Sequence, residues 1–248
     1  MRFLPVIRGT AMTKSTPIFY LKRKARLLSR REGMPLAAAL NEVAREEGFS
    51  CWSLLTSRRT LDATNRVDYR DFEPGELILV GARPGQGKTL LTLQILIDAM
   101  RNGQHGLFFT LAYTEREVVE RMHRLDATPS EFNGLFELHD SERIDADYII
   151  ASLGGLPSGT VVVIDYLQML NERRETPDLE HQVGQLRSYA KANGLVMIFI
   201  SQVDRRFEAE RDGLPGQAHI RLPNPLDLSL FDRFIFLNAG AIQEVKAA

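Results

Sequence analysis

The chain has 248 residues, 44% hydrophobic and 25% charged, with a formal net charge of −1. That is ordinary globular composition, with length for one large domain or for one domain plus an appendage. No apolar run approaches the roughly 20 residues that span a bilayer, and the first residues lack the sustained apolar stretch of a secretory signal, so a soluble, cytoplasmic protein is expected. Cys51 is the only cysteine, which excludes an internal disulfide or a cysteine-based metal cluster, and the five histidines show no ligand spacing.

Charge is unevenly placed. Residues 1–59 hold twelve Lys/Arg against four Glu, a balance of +8, so the remainder carries −9. The basic end is either the part that meets a polyanion or a solvated arm. Within it, residues 20–57 read as a small helical unit. The stretch "FYLKRKARLLSRREG" suggests a basic helix. "MPLAAALNEVAREEG" suggests a second, with Pro35 in its first turn, Leu36, Leu40, Val43 and Ala44 on one face, and Gly48 just past its end. A short third helix follows with Ser50 as N-cap and Trp52 and Leu55 facing inward. Such a unit suits a DNA-binding module, a docking module or a lid.

Residues 60–74 read as a polar linker ending in Pro74-Gly75, which sets the boundaries at 1–59, 60–74 and 75–248. Beyond it, apolar runs of strand length at 77–81, 106–112, 135–138, 161–164 and 196–200 alternate with helical patterns near 88–101, 114–125, 144–153 and 178–193. This is the pattern of an α/β fold with a mostly parallel sheet covered by helices. The end, "RFIFLNAGAIQEV", reads as two strands around Asn238-Ala239-Gly240, a hairpin at the sheet edge.

The first strand runs into "GARPGQGKT". Counting back from Lys88, the phosphate-loop pattern G-x-x-x-x-G-K-[ST] needs glycine at 87 and at 82; position 82 is Ala82. The strand before and the helix after still supply the context that the motif requires. Backbone N–H groups from Gly85, Gln86, Gly87, Lys88 and Thr89 would wrap phosphates at the positive end of the following helix. Lys88 would reach the β- and γ-phosphates, and Thr89 would ligate Mg²⁺. The buried-strand run "VVVIDYLQML" ends in Asp165, placed at the sheet edge where ligands collect and able to orient a magnesium water shell. "VMIFISQ" ends in Gln202, whose amide suits sensing of a γ-phosphate.

Together "GELILVGARPGQGKT", "IDYLQML" and "ISQVDRRFEAER" resemble the C-terminal ATPase domain of DnaB-type replicative helicases, within the RecA-like group of P-loop proteins. The resemblance covers about residues 70 to 238, and the replaced first glycine belongs to that family's loop. It implies a RecA-like P-loop fold, ATP and Mg²⁺, assembly into a homo-oligomer, single-stranded DNA in a central channel and other replication, plasmid or phage proteins as partners. Lys88, Asp165 and Gln202 are the implied catalytic residues. Channel-lining loops carry Arg173 and Arg174, then Arg205, Arg206 and Arg211; their mixed charge leaves DNA contact and a solvated surface both open.

Three departures accompany the resemblance. The family's large helical N-terminal domain is replaced by the short basic unit. Its Ser-Leu-Glu-Met, whose Glu polarises the attacking water, reads Thr110-Leu111-Ala112-Tyr113 here, with Glu115 and Glu117 falling in the next helix. Its arginine finger beyond the last strands finds only Lys246 after Arg233. A missing finger removes about 10³ to 10⁵ in rate and a missing base about 10² to 10⁴. The expectation is a possible ATP hydrolase, helicase-related, with weak turnover. The alternative is a nucleotide-binding regulatory or adaptor protein that does not unwind.

Overall fold

The computed structural model describes residues 18–53, 55–56, 67–141, 144–171, 177–204, 207, 213–222 and 224–247. The chain divides into two compact units, Met1–Leu55 and Thr56–Ala248.

In the first unit, helix α1 (Ile18–Glu32) packs on α2 (Leu36–Glu46). Leu21 and Ala25 of α1 share a small core with Ala39, Val43 and Ala44 of α2 and with Leu55. The expected α2 face is shifted: Ala39 is buried, Leu40 only lines the core and Leu36 is 44% exposed. Leu36 stands at the first helical position, before the chain has turned onto its partner. The third helical stretch begins at Trp52, not directly after Ser50. Asn41 of α2 accepts its first N–H, Asn41 Oδ1 to Trp52 N at 2.9 Å, so the capping oxygen comes from the neighbouring helix.

The second unit is built on a seven-stranded sheet in the order β3-β2-β4-β5-β1-β6-β7. Its strands are β1 (Leu77–Ala82), β2 (Gly106–Thr110), β3 (Phe136–His139), β4 (Val161–Asp165), β5 (Val196–Gln202), β6 (Arg233–Asn238) and β7 (Ala241–Lys246). All neighbours pair in parallel except β6 with β7. Helices α3 (Lys88–Arg101), α4 (Glu115–His123), α5 (Ala146–Ser152) and α6 (Leu179–Asn193) join them. The mostly parallel α/β fold read from the sequence is the fold observed.

Side-chain alternation divides the apolar strands between two cores. Ile78, Val80, Phe108, Val163, Ile198 and Ile235 face α3 and α4; Leu77, Leu79, Phe109, Ile164, Phe199 and Phe234 face α5 and α6. β1, β4 and most of β5 are buried on both faces, which is why they read as unbroken apolar runs. Gly81 is required by a close approach, since a Cβ there would lie 2.9 Å from Cε1 of Phe236 on the paired strand.

Two boundaries differ from the sequence reading. The strand expected over 106–112 stops at Thr110, whose hydroxyl accepts the N–H of Ala112 at 3.0 Å and turns the chain out of the sheet. Part of the expected linker belongs to the second unit, because Val67 and Phe72 are buried in its core around the short turn Tyr69–Asp71. Their polar neighbours mask them in the sequence. The final hairpin forms as expected, with Asn238 opposite Ala241 and φ of +52° and +88° at Ala239 and Gly240.

At the amino-terminal edge of β6 lies a charged clamp. Arg233 is 1% exposed and donates from Nε and Nη2 to both Glu76 oxygens at 2.6 and 3.1 Å. It also bonds Glu244 of β7 and the Asp71 carbonyl, the latter at 2.8 Å. Burial opposes its charge, but the bonds it donates to Glu76 and Glu244 hold its pKa above the ordinary arginine value. Arg233→Ala leaves Glu76 buried and unpaired, so a loss of about 3–5 kcal/mol is expected. Urea unfolding checks this, and a shift under about 1 kcal/mol would show that the clamp is dispensable.

Candidate functional site

β4, β5 and β1 are consecutive in the sheet and parallel, so their carboxyl ends meet. Ala82 pairs with Gln202, and Thr110 pairs with Asp165 one strand further on. The loop leaving β1 turns with φ of +75° at Gly85 and +92° at Gly87, values that disfavour any side chain. A Cβ at either glycine would meet nothing within 4 Å, so the loop is an open cradle. Gly87 is the N-cap of α3, whose first N–H groups face this space. The Gln86 side chain turns away from the cradle: its Oε1 accepts the N–H of Ala239 in the β6–β7 turn at 2.8 Å.

Lys88 lies beneath the loop and donates from Nζ to the carbonyls of Ala82 and Arg83 at 2.9 and 3.2 Å. Burial pushes its ammonium down to about 8, against the attraction of Asp165 and with a further push from Arg83. Thr89 donates its hydroxyl to Asp165 Oδ2 at 2.9 Å. Asp165 is 4% exposed, and burial lifts its carboxyl to about 6 while the Thr89 hydroxyl, Lys88 and Arg121 pull the other way. These are the hard oxygen donors that suit Mg²⁺. Among the described residues no cluster of three or more His, Cys, Asp or Glu could hold a metal, so any ion here would keep waters or phosphate oxygens.

Gln202 ends β5 beside Ala82, and its carbonyl accepts the N–H of Arg221 at 2.7 Å. Lys88, Thr89, Asp165, Gln202 and the loop glycines are thus brought to one edge. Arg173, Arg174, Arg205, Arg206 and Arg211 lie outside the described residues.

The contacts of several nearby residues are not legible in the sequence. Gln168, three residues after Asp165, donates to Ser201 Oγ at 3.2 Å and to the Arg221 carbonyl at 2.8 Å. It ties the turn after β4 to the end of β5 and the 219–221 segment. Arg121 of α4 stacks over Tyr113, 3.8 Å from the ring centroid, and its charge reaches Asp165. Of the two candidate glutamates, Glu117 accepts the N–H and hydroxyl of Thr114 at 2.9 and 3.0 Å, bonds that hold its carboxyl below the usual range. It caps α4. Glu115 is exposed in the first turn of the same helix. Ala112 is exposed beyond the end of β2.

A family model described as "ATPase: KaiC" matches residues 61–220. The chain belongs to that family. The replicative DNA helicase DnaB of Mycoplasma genitalium is 29% identical to this KaiC-family chain over 185 residues, covering 60% of the chain and 40% of the helicase. The chain therefore spans less than half the length of the curated relatives it matches. Among solved structures, a DnaB-like replicative helicase, solved for its interactions with primase, aligns with a TM-score of 0.54 at 18% identity, over 88% of this chain and 66% of that one. A KaiC-like protein of the archaeon Pyrococcus horikoshii aligns with a TM-score of 0.50 at 17% identity, over 65% and 70%. The resemblance read from three motifs is borne out, and the RecA-like fold with it. No helix of the described residues is long and apolar enough to cross a membrane.

Lys88 and Asp165 also influence each other's titration. Asp165 is one of the groups that keep the Lys88 ammonium from falling further, so Asp165→Asn leaves burial less opposed and moves the Lys88 pKa below about 8. Lysine side-chain NMR across the alkaline range checks this. A Lys88 titration unmoved by the substitution would mean that the two charges do not interact.

Proposed function

We propose that the chain binds Mg·ATP and acts on or with DNA as a helicase-related ATPase of slow intrinsic turnover. One observation carries this reading: the Thr89 hydroxyl and the Asp165 carboxylate meet at 2.9 Å in the first turn of the helix that follows an open glycine loop. The backbone N–H groups of residues 85–89 would hold the phosphates, aided by the α3 dipole. Lys88, freed from the Ala82 and Arg83 carbonyls, would neutralise phosphate charge. Thr89 and Asp165 would hold Mg²⁺, which when bound would neutralise charge developing on the phosphoryl oxygens. Gln202 is the candidate sensor of the terminal phosphate.

Slow turnover is inferred from what the described residues of this edge lack. Ala112 offers a methyl group where a carboxylate would orient water, Glu117 is engaged in a helix cap, and Arg233 is buried at the other end of β6 and is no trans-acting finger. Ala112 also favours a second reading, a nucleotide-binding adaptor that does not unwind. Single-stranded DNA is the proposed partner because the matched relatives are named DNA helicases, with Arg173, Arg174, Arg205 and Arg206 as candidate contacts. Homo-oligomerisation, partners among replication, plasmid or phage proteins, and a cytoplasmic setting belong to the same proposal.

Lys88→Ala is expected to abolish Mg·ATP binding in calorimetry; equal affinity of the variant and the wild type would remove the basis of this reading. Steady-state hydrolysis with and without single-stranded DNA separates motor from adaptor, since only the motor gains turnover from DNA. If the base alone is missing, Ala112→Glu raises the rate by about tenfold or more. Fast DNA-stimulated turnover by the unaltered chain would instead assign the role to another carboxylate, Glu115 being the candidate on α4.

A further inference from the structure

Helix α1 carries more positive charge than its own stability explains. Arg30 and Arg31 lie in its last turn, where cations complement the helix dipole. Arg23 and Arg26 have no such reason, and the first turn holds no acidic residue. Residues three and four apart are neighbours on a helix, so Arg23 with Arg26 and Arg26 with Arg30 are like-charge pairs that oppose helix formation.

The three arginines share one face. At 100° per residue Arg23, Arg26 and Arg30 cluster opposite Leu21 and Ala25, which are buried in the unit's core. All three are exposed, with Leu27 among them 59% exposed. Two other cations on the helix have acidic partners, Lys24 with Glu46 and Arg31 with Glu32. Among the described residues Arg23, Arg26 and Arg30 form no ion pair. The three positions cover roughly 10 Å along the helix axis, a length over which one nucleic-acid strand carries about three phosphates.

We propose that this arginine face of α1 is a docking surface for the phosphodiester backbone of nucleic acid. The proposal rests on the DNA-directed half of the reading above and names where the chain takes hold. Guanidinium forks bind phosphate oxygens in pairs and carry no base information, so the contact is independent of sequence. An anionic membrane offers similar phosphates, but a helix that lies in an interface inserts a broad apolar face. The apolar face of α1 is already committed to Ala39, Val43 and Ala44 of α2.

The test uses the full chain and fluorescein-labelled oligothymidine, with a labelled duplex in parallel, in anisotropy titrations over a range of salt. The variant carries Arg23→Gln, Arg26→Gln and Arg30→Gln, with its fold checked by circular dichroism and its Mg·ATP binding by calorimetry. Losing three phosphate contacts makes the slope of log affinity against log salt shallower by about 2 for the single strand and about 3 for the duplex. Affinity at about 0.1 M salt falls on the order of tenfold to a hundredfold. An unchanged slope and affinity overturns the proposal, as does arginine-dependent binding to phosphatidylserine vesicles without binding to either oligonucleotide. A chain that binds Mg·ATP but no oligonucleotide at any salt overturns it and leaves nucleotide binding standing. Arginine-dependent DNA binding by a chain that binds no ATP supports it and sinks the ATPase reading alone.

Discussion

The parallel pairing of β1 with β5 on one side and β6 on the other is the constraint on which the second unit depends. Parallel strands cannot be joined by tight turns, so each must return over a face of the sheet, and both faces become covered. The same geometry collects the carboxyl ends of β1, β4 and β5 along one edge. Residues separated by more than a hundred positions in the chain, Ala82 and Gln202, thereby become cross-strand neighbours. The hydrogen bond from Thr89 to Asp165 is a consequence of that pairing, since the loop leaving β1 and the last residue of β4 open onto the same edge.

Burial at this edge has an electrostatic consequence. The partly buried Lys88 and the buried Asp165 each resist ionisation, and they do so in opposite directions on the pH scale, with Lys88 brought down to about 8 and Asp165 up to about 6. Mutual attraction recovers only part of what desolvation takes. Under the proposed function, such a site is completed by a ligand that brings both negative charge and a cation. Arg121, held over Tyr113, adds positive charge on the α4 side of Asp165.

How much of this was legible follows from the range of each interaction. The cradle glycines, Lys88, Thr89 and the strand ending in Asp165 lie within local patterns, and the alternation of strands and helices announced the sheet. α3 was bounded at Lys88 and Arg101 by its periodicity, because a glycine turn precedes it and Asn102-Gly103 follows. The clamp joining Arg233 to Glu76 spans 157 positions, and the buried Gln182 sews Leu170, Pro177 and Ala146 together through its side-chain amide. Neither has a spacing to recognise. Val67 and Phe72 were lost in a polar stretch, and the roles of Gln168 and Arg121 depend on strand order, which periodicity does not encode.

The bond from the Ala239 N–H to Gln86 Oε1 bears on what the cradle costs to use. A loop rich in glycine has many conformations to surrender when it closes on a ligand, and that loss subtracts from affinity. Here the tip of the loop is fastened to a tight turn that closes an antiparallel pair at the rim of the sheet. Part of the ordering is therefore done by the fold itself, ahead of the proposed phosphate binding, and the β6–β7 hairpin serves as the splint that holds the cradle in shape.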